Sequence, residues 1–119
     1  MLILNKLTLY EKKALKDVQT ALTKKYRDNL ILLKLFGSKA RGNSRRYSDI
    51  DILAIVDKNS WEASEKMSDD VFEIIEKYDY QLLISLIVLD SNEYSLEQKI
   101  RTCFYENLER EGVDLWKRG

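Results

Sequence analysis

The fold is decided by residues 30–56, which read LILLKLFGSKARGNSRRYSDIDILAIV. The nearly continuous apolar run over residues 30–36, interrupted only by Lys34, predicts a buried strand that ends at Gly37. A polar, basic segment follows, and a second strand occupies residues 49–56. A buried strand, a basic loop and a strand that opens on two acids therefore form the centre of the predicted sheet.

Helical and strand patterns alternate on either side of this stretch. Thr8 followed by Glu11 is a capping-box pattern, and it predicts the start of a first helix with one apolar stripe. Ser60 is placed to cap a second helix after the second strand. Residues 82–89 are apolar except for Ser85 and predict a third strand.

The remaining residues predict one further helix and a short strand. Ser95 and Gln98 form a second capping-box pattern, and Gly112 is expected to end that helix. Residues 113–116 are expected to form the short strand. The inward face of the helix is predicted to carry Leu96, Ile100, Cys103, Phe104 and Leu108. We therefore expect one α+β domain over residues 1–119, with a three- or four-stranded mixed sheet and helices packed on one face.

Gly37 and Ser38 stand where the first strand ends. Glycine permits a sharp turn and close approach of a ligand, because it has no Cβ. Ser38 follows at a predicted helical turn, where free N–H groups and a hydroxyl favour phosphate oxygens. Positive charge surrounds the same place through Lys39, Arg41, Arg45 and Arg46. Arg45 and Arg46 are equally consistent with a phosphate contact and with ordinary loop charge.

Asp49 and Asp51 lie two residues apart on the second strand. Their side chains therefore project from one face, with Cα atoms roughly 6.5–7 Å apart. Two such carboxylates can hold Mg²⁺ through oxygen ligands and leave further positions for a triphosphate and water. The opposite face is wholly apolar, so the acids lie at one end of a sheet that is otherwise core.

Composition excludes several other kinds of site. The 119 residues include no histidine and one cysteine, Cys103, which excludes His-dependent catalysis and cysteine or histidine metal clusters. Twenty basic and twenty acidic residues balance, so we expect no direct nucleic-acid binding through net charge. Without a signal peptide or an apolar run of membrane-spanning length, a cytoplasmic protein is expected. The segment from Gly37 also lacks the P-loop order.

The motif resembles the signature of the minimal nucleotidyltransferases of the DNA polymerase β superfamily: Gly37-Ser38, ten residues, then Asp49-x-Asp51. The resemblance implies a nucleotidyltransferase that binds Mg²⁺ at the two acids and ATP phosphates at Gly37 and Ser38. It also implies a helical HEPN-type partner protein, usually encoded nearby, which such a chain adenylylates and silences as an antitoxin. Whether the chain also self-associates stays open.

One departure from the family pattern concerns the third strand. The superfamily usually has a third carboxylate there, and the residue that aligns is Ser85. Asp79 and Asp90 flank the strand and could substitute only from an unusual position; Ser85 could alternatively be a core serine bonded to the backbone. The sequence thus leaves two functions: an adenylyltransferase, or a catalytically weak nucleotide-binding subunit that neutralises a partner by contact alone.

Overall fold

The computed structural model describes residues 7–41 and 49–119, in which five helices and four strands form. Arg45 and Arg46 lie outside the described residues. In chain order the elements are α1 (Leu9–Lys25), β1 (Leu30–Phe36), α2 (Gly37–Arg41), β2 (Ile50–Val56), α3 (Trp61–Lys77), β3 (Ile84–Asp90), α4 (Ser91–Ile100), α5 (Cys103–Glu111) and β4 (Val113–Lys117). No helix in this part of the chain is both long and apolar enough to span a bilayer.

The four strands form one mixed sheet in the order β3-β2-β1-β4. β1 runs antiparallel to both β2 and β4, whereas β2 and β3 run parallel because α3 connects them as a crossover. The predicted α+β fold with a mixed sheet is confirmed. This order makes β2 a central strand, with β1 on one side of its acids and β3 on the other.

The larger core lies between one face of the sheet and helices α1 and α3. Its buried members include Ala14, Val18, Leu22, Leu33, Leu35, Ile50, Ile52, Ala54 and Met67. The expectation of helices on one face holds for these two helices. A smaller cluster covers part of the opposite face, where Leu53 and Ile55 of β2 meet Leu108 of α5. Phe36 and Phe104 pack edge to face beside it, with ring centroids 5.6 Å apart.

Two hydrogen bonds, each from a tyrosine hydroxyl to an aspartate, join α1 to α3. The C-cap residue of α1, Tyr26, donates to Asp70 of α3 at 2.6 Å, and the C-cap residue of α3, Tyr78, donates to Asp17 of α1 at 2.6 Å. Each aspartate also meets a lysine of the other helix, Lys25 or Lys77. Because the C-terminal end of each helix is hydrogen-bonded to the middle of the other, these contacts hold the two helices in an antiparallel arrangement.

The predicted capping boxes have different outcomes. At Thr8 the box is confirmed, because its side chain accepts from the Glu11 N–H while the Glu11 carboxylate accepts from the Thr8 N–H. The box predicted at Ser95 is wrong: β3 continues to Asp90, and Asp90 with Glu93 forms the box that opens α4.

The predicted last helix is also two helices. Arg101 adopts a left-handed conformation with φ of 52°, and Thr102 caps α5. Most of the predicted inward face is therefore wrong, since Leu96, Ile100 and Cys103 are exposed. Gly112 ends α5 as predicted, with an extended backbone, and β4 follows.

Candidate active site

Gly37 lies against Asp51 at the end of β1. The strand register pairs Phe36 with Asp51, so the chain turns at Gly37 directly beside that carboxylate. Gly37 has φ of +73°, which favours glycine, and a Cβ there would overlap the Asp51 Oδ2 and lie 3.3 Å from its Cγ. Two physical reasons therefore require glycine at this position, and both follow from the packing of the turn against the acid.

The short helix α2 carries Ser38 and Lys39 to different surroundings. Ser38 is half-buried, whereas Lys39 and Ala40 are fully buried. The Lys39 ammonium forms an ion pair with the carboxylate of Glu11 on α1. The buried Lys39 ammonium thus has a carboxylate partner, and its role in nucleotide binding stays a prediction.

Asp49 and Asp51 occupy the start of β2 as predicted. Asp49 is exposed just before the strand, and Asp51 is half-buried within it. Burial raises the pKa of the Asp51 carboxyl, the negative charge of Asp49 raises it further, and the nearby Arg41 guanidinium opposes both. The two carboxylates therefore repel one another across a short distance, and a cation bound between them would relieve that repulsion.

Ser85 lies next to Asp51 in the sheet. The parallel register pairs Asp51 with Ser85 directly, and residues paired in this way project from the same face. Ser85 is exposed, which argues against the alternative of a core serine. The structure thus puts a serine beside Asp51, where the family resemblance predicts a third carboxylate.

Neither flanking acid replaces that carboxylate. Asp90 pairs with Val56 at the far end of β3 and caps α4, roughly 16 Å along the strand from Ser85. Asp79 lies in the turn before β3, with φ of 54°. Among residues 7–41 and 49–119, no group of three or more acidic or cysteine side chains is placed to hold a metal ion. Within the described residues, Asp49 and Asp51 are therefore the acidic pair that remains as the candidate for holding a metal ion.

Arg41 extends from the end of α2 towards α5. Its side chain is exposed and lies 3.4 Å from the Glu111 carboxylate, and its charge also lowers the pKa of Asp51. Glu111 and Glu11 could not be identified from the sequence, because they reach Arg41 and Lys39 through tertiary contacts. The capping box at Glu11 was visible, but nothing in that pattern indicates a second partner.

The side chains present fit a divalent cation held through oxygen. Two carboxylates at one strand end, one of them with a raised pKa, are a donor set that Mg²⁺ accepts when phosphate oxygens and water complete its coordination. Ser85 adds a neutral and weaker oxygen donor on the same face.

Two proteins of Methanocaldococcus jannaschii align with most of the chain. Putative protein adenylyltransferase MJ0604 is 36% identical over 108 residues, which make up 89% of this chain and 98% of that protein. Putative protein adenylyltransferase MJ0141 is 33% identical over 102 residues, or 84% of this chain and 89% of that protein. Both names describe transfer of an adenylyl group to protein.

A solved structure and a family model extend the comparison. The crystal structure of a toxin-antitoxin with AMP-PNP has a similar fold, with a TM-score of 0.53 and 24% identity over 87% of this chain and 73% of its own. The model of the family "Polymerase beta, Nucleotidyltransferase" matches residues 16–110, which include Gly37, Ser38, Asp49, Asp51 and Ser85. The chain therefore belongs to the polymerase β nucleotidyltransferase family.

Proposed function

We propose that this chain transfers AMP from Mg²⁺-bound ATP to a partner protein. The observation that carries the proposal is the meeting of the Gly37 turn with the paired carboxylates of Asp49 and Asp51 at one sheet end, with Ser38 next in the chain. A turn without a Cβ gives phosphate oxygens access to the backbone. Carboxylates that repel one another favour a cation, and a triphosphate needs one.

The chain's own residues divide the work of binding and orientation. Asp49 and Asp51 hold the metal, and Ser38 donates its hydroxyl to a phosphate oxygen. Arg41 is exposed beside Asp51 and can turn from Glu111 to the triphosphate. Bound Mg²⁺ neutralises charge on the phosphates and stabilises the departing pyrophosphate. Arg45 and Arg46 remain predicted phosphate contacts.

The acceptor side of the reaction is incomplete in this chain. An acceptor hydroxyl must lose its proton as it attacks phosphorus, and Ser85 cannot act as a base near neutral pH. We propose that the partner protein supplies the missing carboxylate or an already activated hydroxyl. The chain alone then binds the nucleotide well and transfers it slowly.

The proposed partner is a helical HEPN-type protein encoded nearby, which AMP transfer silences in the cytoplasm. Support comes from the motif and from the names of the two relatives, which describe adenylylation of protein. The solved structure of similar fold is that of a toxin-antitoxin with AMP-PNP, in keeping with an antitoxin role.

The test is transfer from ATP labelled at the α-phosphate, with and without the co-expressed product of the neighbouring gene. Labelling of the partner in Mg²⁺, and none in excess EDTA, is the expected result. Asp49→Asn with Asp51→Asn should abolish labelling while the protein stays folded, because it removes a repulsion rather than a bond. Asp28→Asn with Asp69→Asn, at two exposed aspartates outside the site, is the matched control and should leave labelling unchanged.

A second candidate is favoured by one observation, the hydroxyl of Ser85 beside Asp51. In this alternative the chain binds nucleotide but neutralises its partner by contact alone. Tight Mg²⁺-dependent ATP binding and a stable complex, together with an unlabelled partner, would select this function over transfer.

A further inference from the structure

Lys39 and Glu11 form a buried ion pair between α2 and the first turn of α1. Lys39 is 3% exposed and Glu11 is 7% exposed, and in the described part of the chain they are the only charged residues that are buried. A buried pair of opposite charges contributes little net stability over an apolar pair, because both groups lose their hydration. The pair therefore calls for a reason other than stability.

The Glu11 carboxylate makes two connections at once. Its Oε1 accepts the Thr8 N–H at 2.8 Å and completes the capping box, while its Oε2 meets the Lys39 ammonium. The capping box fixes the rotamer of Glu11, so the second oxygen has a defined position. Lys39 is thus held by a group that belongs to the rigid start of a 17-residue helix.

Lys39, the other member of the ion pair, lies on α2, a helix that would not be stable by itself. α2 has five residues, fewer than an isolated helix needs, and it begins at a glycine with positive φ. Lys39 lies between Ser38, which directly follows the Gly37 turn, and Ala40, which is fully buried. A rotation or shift of α2 that moves Ser38 also moves the Lys39 backbone and disturbs the contact of its ammonium with the Glu11 carboxylate.

We propose that Glu11 is a positioning residue: through Lys39 it fixes α2 so that Gly37 stays against the Asp51 carboxylate and Ser38, the next residue, keeps the position that binds nucleotide. This inference rests on the proposed function for the role of Ser38, and it adds a residue outside the family motif. Displacement of Lys39 would break its buried contact with the Glu11 carboxylate, so we expect one position of α2 to be favoured over others.

Three variants distinguish an effect of Glu11 on the position of α2 from an effect on the stability of the whole protein. Glu11→Gln keeps the capping box, which accepts glutamine, and removes the charge opposite Lys39. Thr8→Ala removes the capping hydroxyl and leaves the ion pair intact, which makes it the matched structural control. Glu11→Gln with Lys39→Met removes both charges of this ion pair and keeps the experiment usable if the single variant is poorly folded.

Each variant is compared with the wild type by three measurements: the urea midpoint of unfolding, amide hydrogen exchange within α2, and Mg²⁺-ATP affinity by calorimetry. For Glu11→Gln we expect faster exchange in α2 and affinity that is about tenfold weaker. Thr8→Ala should lower the midpoint and change neither α2 exchange nor affinity. The double variant should recover the midpoint and retain both the faster exchange and the weaker affinity.

The proposal is overturned if α2 exchanges at the wild-type rate in Glu11→Gln, or if Thr8→Ala loosens α2 to the same extent. It is also overturned if the double variant regains full affinity, because the pair would then act through stability alone. A wild-type chain that binds no nucleotide contradicts the proposed function instead, and the exchange of α2 still decides whether Glu11 holds it.

Discussion

Gly37 and Asp51 share one small volume at the end of β1. The acid occupies the space that a side chain at residue 37 would take, and the backbone there has a sign of φ that other residues rarely adopt. The absence of a Cβ at residue 37 therefore permits both the positive φ of the turn and the position of the Asp51 carboxylate. A substitution at Gly37 should affect folding and nucleotide binding together.

For Gly37→Ala we expect a loss of about 1–3 kcal/mol in the free energy of unfolding, from the positive φ and the overlap with Asp51. Displacement of the Asp51 carboxylate should also weaken Mg²⁺-ATP binding. Urea denaturation and calorimetry measure the two effects. Gly119→Ala is the matched control, because a Cβ at Gly119 has no atom within 4 Å. An unperturbed Gly37→Ala would show that the turn relaxes freely.

Ser85 offers the opposite experiment, in which a group is added. For Ser85→Asp we expect the rate of AMP transfer to rise more than the nucleotide affinity changes, because a carboxylate beside Asp51 can bind metal and accept the acceptor's proton. Single-turnover transfer, with and without the partner, is the measurement. Ser95→Asp, at an exposed serine of α4, controls for added charge. Fast wild-type transfer without any partner would mean that Ser85 is no deficit.

Sequence reasoning reached some of these residues and missed others for a definite reason. Asp51 and Ser85 could be aligned because strand parity and the family motif fix their places before any contact is known. The partner of Lys39 could not be predicted, because a basic residue in a basic loop gives no sign that it turns inward to Glu11. Burial of a charge is decided by tertiary packing, which local pattern does not contain.

At the scale of elements, the strands and the helix starts differ in how well they could be predicted. β1 and β2 were visible as apolar runs, and the caps at Thr8 and Ser60 were predicted. The start of α4 was missed because both Asp90-x-x-Glu93 and Ser95-x-x-Gln98 satisfy the capping-box pattern. The choice between them depends on where β3 ends, and pairing with Val56 extends β3 to Asp90.

The hydrogen bond between Tyr78 and Asp17 should make the free energy of unfolding depend on pH. The hydrogen bond from Tyr78, aided by Lys77, lowers the pKa of Asp17 despite some desolvation, so the ionised form is favoured in the folded state. A lowered folded pKa contributes stability that is present above the unfolded pKa and is lost as pH falls through the folded value. The same bond raises the pKa of Tyr78 to about 12, so this contribution persists through neutral pH.

The variant that tests this is Tyr78→Phe, measured by urea denaturation between pH 7 and pH 3. We expect it to lower the free energy of unfolding by about 1–2 kcal/mol at pH 7. Its difference from the wild type should shrink as Asp17 becomes protonated. Tyr80→Phe, at an exposed tyrosine nearby, should follow the wild-type curve. A difference that is constant with pH would assign the effect to packing and not to the charged bond.

At the scale of the whole molecule, ligand binding should appear as stability, because a ligand that binds only the folded state raises its population. Mg²⁺-ATP at about one hundred times its dissociation constant should add about 2.7 kcal/mol, which corresponds to a rise in Tm of roughly 10 °C for a domain of this size. Thermal unfolding measures the shift, and excess EDTA should remove it. Asp49→Asn with Asp51→Asn should show no shift. A shift that survives EDTA would contradict metal-dependent binding.

The pairing of β1 with β4 has a consequence for the life of the chain on the ribosome. β4 follows every other element, and it pairs with residues made roughly 80 positions earlier. Until β4 emerges, one side of a leucine-rich strand has no hydrogen-bonding neighbour, and such an open edge invites pairing with other chains. Before β4 is made, the nascent polypeptide therefore carries a risk of aggregation, at a stage when Asp49, Asp51, Ser85 and most of the core have already been made.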